Sequence, residues 1–589
     1  MRKLAFAFLA AAILLPSLQA QELSAADLDR RRKALSDLLA EHWQYTLRTN
    51  PEFASMLGDK RYNDRLSDPS PAAIEKDLAE TKKYLRRFQA IDARGFSEQE
   101  RLNRALMIAL LSNSIEDARF RTWMMPVTQR SGVHLSAAQF PSLLTFTTVK
   151  DYDDFIARMK QIPRVFDEVT ANMRRGMSQR LMPPKFLLEK VAEQAGEMTK
   201  QEPQQTPFAR PIATFSAGIS EEEQVRIRRD WLETIRTSVL PAYAKFAQFV
   251  REEYAPKGRT DVGVWSLPDG AARYANRVRR MTTTDLTPDE IHAIGLREVA
   301  RIEGEMLEIA KKLGFSDLKS FNLAIESNPA LRAKSGEEIL EEYRTYIGQM
   351  YEKLPELFGR LPRAKVEVVA TPEFRAKTAA AADYNAPAPD GSRPGRINVN
   401  THDATSRKTI TNESTAYHEG VPGHHMQIAI AQELPNIPEF RRQGGYTPFI
   451  EGWALYSERL GKEVGFYQDP YKDYGRLQDE MLRAIRLVVD TGLHHKRWTR
   501  EQVVQYFRDH SAIDEVDIQS ETDRYISWPG QALAYKIGQM KISELRAQAQ
   551  RELGDQFDIR AFHDEVLGAG ALPLTELETR ITRWLGAKM

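Results

Sequence analysis

The chain has 589 residues, 83 basic against 82 acidic side chains, and no cysteine. Balanced charge supplies no net field to draw nucleic acid or an anionic membrane surface. The lack of cysteine excludes thiolate metal sites, iron–sulfur clusters, cysteine nucleophiles and a lipidated N-terminal cysteine, so any transition metal must be held by His, Asp and Glu.

In chain order, Arg2 and Lys3 precede an apolar run at residues 4–15 and small residues ending at Ala20. That pattern predicts a signal peptide, residues 1–20, cleaved near Ala20, and hence a periplasmic or secreted protein. The run is short of the ~20 residues that a spanning helix needs, so no membrane insertion is expected after cleavage. Residues 21–589 read as one large helical domain of one or two lobes, without a repeat of fixed period or a low-complexity linker.

Apolar residues at three- and four-residue spacing predict helices over 28–47, 72–91, 98–118, 152–177, 184–194, 221–253, 288–313 and 336–354. The start at Thr287-Pro288 is a cap followed by proline at the first helical position. Strand character is confined to 365–400. Residues 365–370 alternate and are β-branched, and 396–400 follow a loop rich in Pro and Gly, which predicts a short hairpin or small sheet. Helical patterning then resumes to the C-terminus. The fold class is mainly all-α with a small β element.

Chemistry concentrates in one region. Seven of the eleven histidines (His402, His418, His424, His425, His494, His495 and His510) fall within about 110 residues. Among them is His418-Glu419-Gly420-Val421-Pro422-Gly423-His424-His425. A hydrolytic zinc needs two imidazoles and a carboxylate as ligands, an open position for water, and a second carboxylate to take that water's proton. The common solution is His-Glu-x-x-His on one helix face. Here His418 and Glu419 supply a ligand and a general base, but the position one turn on is Pro422. On a straight helix the sixth residue on points about 120° away, and the seventh lies ~10.5 Å along the axis. The zinc reading therefore requires Pro422-Gly423 to kink or bulge the helix so that His424 or His425 reaches the metal. A third ligand is expected from the helix beginning Thr447-Pro448, with Thr447 as cap. Glu451, 33 residues after His418, is the candidate and Glu458, two turns on, the alternative.

The sequence also resembles the DUF885 family, bacterial proteins of unknown function similar to the thermolysin-like (gluzincin) zinc peptidases. The resemblance rests on pieces spread over most of the chain. They are Gly132-Val133-His134, Tyr384 with Asp390 to Gly395, Asn398-Val399-Asn400, His418-Glu419 with Pro422-Gly423-His424-His425-Met426-Gln427, and Glu451-Gly452-Trp453-Ala454-Leu455-Tyr456. Val489-Asp490-Thr491-Gly492-Leu493-His494, Trp498-Thr499, Pro529-Gly530-Gln531-Ala532 and Tyr535-Lys536-Ile537-Gly538 complete it. It implies a large helical metallopeptidase-like fold with a deep cleft. It implies one Zn2+ per chain on His418, His424 and Glu451, with Glu419 as general base and His425 as the alternative second ligand. A donor aimed at the developing oxyanion is valuable in such chemistry, and Tyr535 and His494 are the candidates. Asn398 and Asn400 are candidates for pairing with an extended peptide as an edge strand does.

The function expected is a zinc-dependent hydrolase, foremost a peptidase acting on oligopeptides, within the metal site at 411–540. A zinc hydrolase of another amide or ester bond, and a non-catalytic helical binding protein with a structural metal, are the alternatives. The expected partner is a peptide or small amide substrate, with no nucleic acid.

Overall fold

The computed structural model describes residues 24–376, 379–388 and 393–588. The signal-peptide segment and Asp390, Gly391 and Ser392 lie outside the described residues. Among the described residues, no helix is long and apolar enough to cross a membrane.

The architecture is helical with one small sheet. Helices Ala25–Thr49, Pro71–Ala90 and Glu98–Ala118 start where Ser24, Ser70 and Ser97 each accept an orphan backbone N–H, the usual reason a helix begins at serine. They bury Leu35, Leu38, Phe88, Met107 and Leu111 together. The helix expected over 152–177 is two, Val149–Met159 and Ile162–Ser178. Pro163 lacks an N–H and can only start a new helix, not continue the old one. A second core spans residues 127–255, where Phe155 stacks on Trp231 at 5.2 Å.

Eight helices frame the later part of the chain: α1 Pro288–Lys312, α2 Gly336–Leu357, α3 Asn412–Glu419, α4 His424–Glu433, α5 Thr447–Glu463, α6 Pro470–His494, α7 Glu515–Ser527 and α8 Ala534–Leu553. A capping box of Thr287 and Glu290 opens α1. Thr447 is the first residue of α5 rather than its cap, which is Tyr446 without a side-chain bond.

Helices α1, α6 and α8 meet at a buried ionic knot. Lys536, 1% exposed, donates to Glu480 (2.6 Å) and Gln539 (2.8 Å) and pairs with Glu298 (2.9 Å). Arg301 closes the knot onto Glu480 at 2.6 Å. A buried ammonium is tolerated only when its donors are matched in this way. Helices α5 and α8 cross where neither has a side chain. A Cβ on Gly452 would lie 2.5 Å from Gly538, and one on Gly538 would lie 1.8 Å from the Pro448 carbonyl. The crossing sets Glu451 beside the contact and Tyr535 one turn before it.

The sheet joins β1 Val366–Ala370, β2 Ala382–Asn385 and β3 Gly395–Val399 in the order β1-β3-β2. β3 runs parallel to β1 and antiparallel to β2, so the element is a sheet rather than a hairpin. β2 escapes the sequence pattern because Ala382-Asp383-Tyr384-Asn385 is short and half polar, with weak strand propensity. β3 is paired on both sides, which corrects the expectation for Asn398 and Asn400: their strand has no free edge. Asn398 Nδ2 donates to Asp383 (2.9 Å) and Asn400 Nδ2 to the Ala376 (2.7 Å) and Ala379 (3.0 Å) carbonyls. The edge strand beside α3 and α4 is β2.

The glycine crossing carries a prediction. Gly538→Ala must push α5 and α8 apart, and overpacking of this kind costs about 1–3 kcal/mol. We expect a lower denaturation midpoint by that amount in urea or guanidinium, and an unchanged midpoint would refute the close crossing.

Candidate metal centre

The centre is built from a broken helix. α3 ends at Glu419, the Val421–Pro422 bond is cis, and α4 begins at His424. Gly423 is required at the break: a Cβ there would sit 2.0 Å from the His418 carbonyl and 2.3 Å from that of Tyr417. The break is held across the helix pair, because Trp453 of α5 donates its indole N–H to the Pro422 carbonyl at 2.8 Å. The Gly423 N–H returns to Tyr417 (3.0 Å) and the His425 N–H to Gly420 (3.1 Å). Those bonds satisfy groups that a broken helix would otherwise leave unpaired.

With the helix broken, residues six apart come together. The ligand atoms of His418, His424 and Glu451 all lie within 4.8 Å of one another. Glu451 Oε2 is 3.6 Å from His418 Nε2 and 3.5 Å from His424 Nε2, and the two rings stand edge to face at 4.8 Å. A tetrahedral zinc with bonds of ~2.0–2.1 Å sets neighbouring ligand atoms about 3.3–3.4 Å apart. Two imidazoles and a carboxylate at these separations fit zinc, and among the described residues no fourth His, Asp or Glu joins the set.

The outer contacts orient the set. His418 Nδ1–H donates to Glu458 Oε1 at 2.7 Å, in the carboxylate–histidine arrangement that fixes a ligand's tautomer. Arg483 of α6 approaches the same oxygen at 3.7 Å and pairs with Asp479 at 3.0 Å. Glu458, two turns along α5 from Glu451, thus holds His418 from behind and is not among the three converging groups. Burial pulls the His418 imidazole down, but the Glu451 and Glu458 carboxylates prevail and hold it up at about 10. Burial likewise opposes ionisation of Glu451, yet His418 and His424 hold its carboxyl well below the usual range.

Glu419 sits half-buried at the last turn of α3 and is not one of the three converging groups. Burial pushes its carboxyl up. His424 and His418 oppose that, while Glu451 and Asp383 reinforce it.

His425 points away from the centre. Tyr384 donates its hydroxyl to His425 Nδ1 (3.0 Å), and His425 Nε2–H donates to the Ala364 carbonyl (3.1 Å). Both nitrogens are used in tying β2 and the start of β1 to α4. His494 is likewise consumed by the backbone: the Val264 N–H donates to Nδ1 (3.0 Å), and Nε2–H donates to the Tyr525 carbonyl (3.0 Å). Burial drives its pKa down to about 3. No nitrogen of His494 is left for a substrate, which removes it as an oxyanion donor. Tyr535 differs. It is half-buried, its oxygen accepts from Arg524 at 3.2 Å, and Arg486 lies 4.7 Å over its ring. That contact uses a lone pair and leaves the phenolic proton to be donated. Sequence reasoning missed Arg483, for which spacing gives no signal, and named Tyr384 within the family resemblance without a role. It noted Glu458 by its position on the Glu451 face but could not assign the oxygen's partner.

The sequence matches the family described as "Bacterial protein of unknown function (DUF885)" over residues 51–581. No curated protein matches it. Among solved structures, a "putative lipoprotein" from Colwellia psychrerythraea is similar with a TM-score of 0.89 at 31% identity, covering 95% of this chain and 100% of that one. A lipoprotein of unknown function from Shewanella oneidensis, described with the same qualifier, is similar with a TM-score of 0.74 at 20% identity, covering 93% of this chain and 99% of that one. The second likeness concerns the fold alone.

Two expectations follow from the geometry. Zinc should bind at one equivalent per chain by mass spectrometry and be lost in His418→Ala, His424→Ala and Glu451→Ala, while His425→Ala keeps it. Glu458→Gln should weaken affinity about 10–100-fold. Because a proton on His418 competes with the cation below pH 10, binding should release protons near neutrality. Apparent affinity should therefore rise with pH toward that value. Calorimetry in two buffers of different ionisation enthalpy measures this, and buffer-independent heats would contradict it.

Proposed function

This chain belongs to the DUF885 family, and we propose that it is a zinc-dependent hydrolase of the peptidase type acting on oligopeptides. One observation carries the reading. Two imidazoles and a carboxylate converge across a helix break, and a further carboxylate, Glu419, adjoins them without being one of them. A closed structural site would have used a fourth protein ligand.

His418, His424 and Glu451 would hold the zinc, which when bound polarises a carbonyl oxygen and acidifies a water molecule. Glu419 takes the proton from the attacking water on its carboxylate and returns it to the departing nitrogen. Its upward-shifted carboxyl is matched to both halves of that transfer. Tyr535 donates its phenolic proton to the carbonyl oxygen as negative charge grows there. The position of β2 at the edge of the sheet, beside α3 and α4, favours an extended peptide over a compact amide, because strand addition recognises backbone rather than side chains.

We place the protein in the periplasm or outside the cell, on its basic, apolar and small-residue N-terminal segment. Export is what it would share with the similar lipoproteins.

The test is hydrolysis of an internally quenched peptide by zinc-loaded protein. Glu419→Gln should keep its zinc and lose about 10²–10⁴-fold in kcat. Tyr535→Phe should lose about 10²–10³-fold in kcat with KM little changed. Retained zinc with undiminished activity in Glu419→Gln would overturn the reading.

A further inference from the structure

Beside Tyr535 the structure gathers more positive charge than it balances. Glu521 of α7 accepts from Arg486 at 2.9 Å and from Arg524 at 3.2 Å, and the Tyr525 hydroxyl donates to it at 2.5 Å. Arg130, whose Nη2 donates to Ser520 Oγ at 2.8 Å, lies in the field of the same glutamate and of Arg524. Two guanidiniums thus bond Glu521, and the third lies in its field and in that of Asp523. The neighbouring acids are engaged elsewhere: Asp523 pairs with Lys190 (2.6 Å) and Arg500 (2.8 Å), and Asp479 with Arg483. Asp517, one turn earlier on α7, lies in the field of Asp514 and Glu521, with Arg407 and Lys408 opposing them.

Arg524 is the one of the three that bonds the Tyr535 oxygen and keeps a buried nitrogen without an acceptor. One Nη donates to Glu521, the other to Gln531 (2.8 Å) and to the Tyr535 oxygen, and its buried Nε has no acceptor. A buried donor without a partner is costly, and an anion arriving at the guanidinium would offset that cost. Arg486 backs the arrangement from behind, its guanidinium over the Tyr535 ring and its Nε on the Tyr525 hydroxyl at 3.1 Å. A planar guanidinium fork matches a carboxylate in two parallel hydrogen bonds.

We propose that Arg524, with Arg486 and Arg130 around it, takes the α-carboxylate at the C-terminus of the peptide substrate. Because the same guanidinium touches the Tyr535 oxygen, the anchored carboxylate lies close to the carbonyl that Tyr535 serves. An extended chain advances ~3.3 Å per residue, so the bond cut is within the last few residues. The substrate class is short peptides with a free C-terminus, trimmed from that end. This specificity rests on the peptidase reading above, but the carboxylate site itself requires no metal.

The experiment compares one pentapeptide as free acid and as C-terminal amide, with wild type and Arg524→Gln. Calorimetric binding to metal-free protein and kcat/KM of zinc-loaded protein are both read. The free acid should bind, and be cleaved, at least about tenfold better than the amide by wild type, and Arg524→Gln should compress both ratios to near one. Arg524→Lys, which keeps the charge but not the fork, should fall between. Thermal melts of each variant check folding, and if Arg524→Gln does not fold, the ratio in Arg524→Lys and in wild type decides. Cleavage of both peptides without preference for the acid overturns the carboxylate site and leaves the peptidase reading standing. Cleavage of neither overturns the peptidase reading, and the binding ratio then still decides the site: tighter acid binding lost in the variant supports it, and equal binding overturns it.

Discussion

Everything at the centre depends on an α-helix stopping between Glu419 and His424. A continuous helix would carry residue 424 about 240° round the axis from residue 418 and ~9 Å along it, out of reach of a shared ion. The break brings the two imidazoles to one point, and it has its own supports. Gly423 admits the chain so close to the His418 carbonyl that a methyl group cannot enter. Trp453 caps the Pro422 carbonyl from the next helix. That tryptophan lies two residues from Glu451, so a single short stretch of α5 both secures the break and supplies the third of the converging groups.

Around this point the charges are layered. His418 hands its second nitrogen to Glu458, Glu458 faces Arg483, and Arg483 is held by Asp479. Further out, Lys536 with Glu480, Glu298 and Arg301 ties α8 to α1 and α6. Such buried ions cost desolvation and add little net stability, but they leave few alternative arrangements of their helices. Positional definition is what a centre with tolerances of about half an ångström demands.

Legibility in the sequence followed the range of the interaction. Helices with a clear face and a serine or threonine cap were readable to within a few residues, as at Glu98–Ala118 and Pro288–Lys312. Those errors were local: Pro163 divided one expected helix, and β2 was too short and polar to register. At the centre, His418, Glu419, His424 and Glu451 could be named because each sits in a distinctive local pattern, and the requirement for a break at Pro422-Gly423 follows from helix geometry. The difference between His424 and His425 was not readable. It turns on Tyr384, some forty residues upstream, and on the Ala364 carbonyl, both brought to His425 by the sheet. His494 misled for the same reason. Its neighbours are a backbone N–H at Val264 and a carbonyl at Tyr525, and backbone partners leave no trace in residue types.

The edge position of β2 has a consequence beyond recognition. A strand with unpaired N–H and C=O groups is a template for any other strand, including that of a second copy or a partly unfolded chain. In this edge strand the length is only four residues, Ala382–Asn385, and the first of them is buried. At ~3.3 Å per residue that is about 13 Å of rail, enough to seat a short extended segment and too little to nucleate a growing sheet. The brevity that hid this strand from the sequence pattern is thus also its protection against self-association.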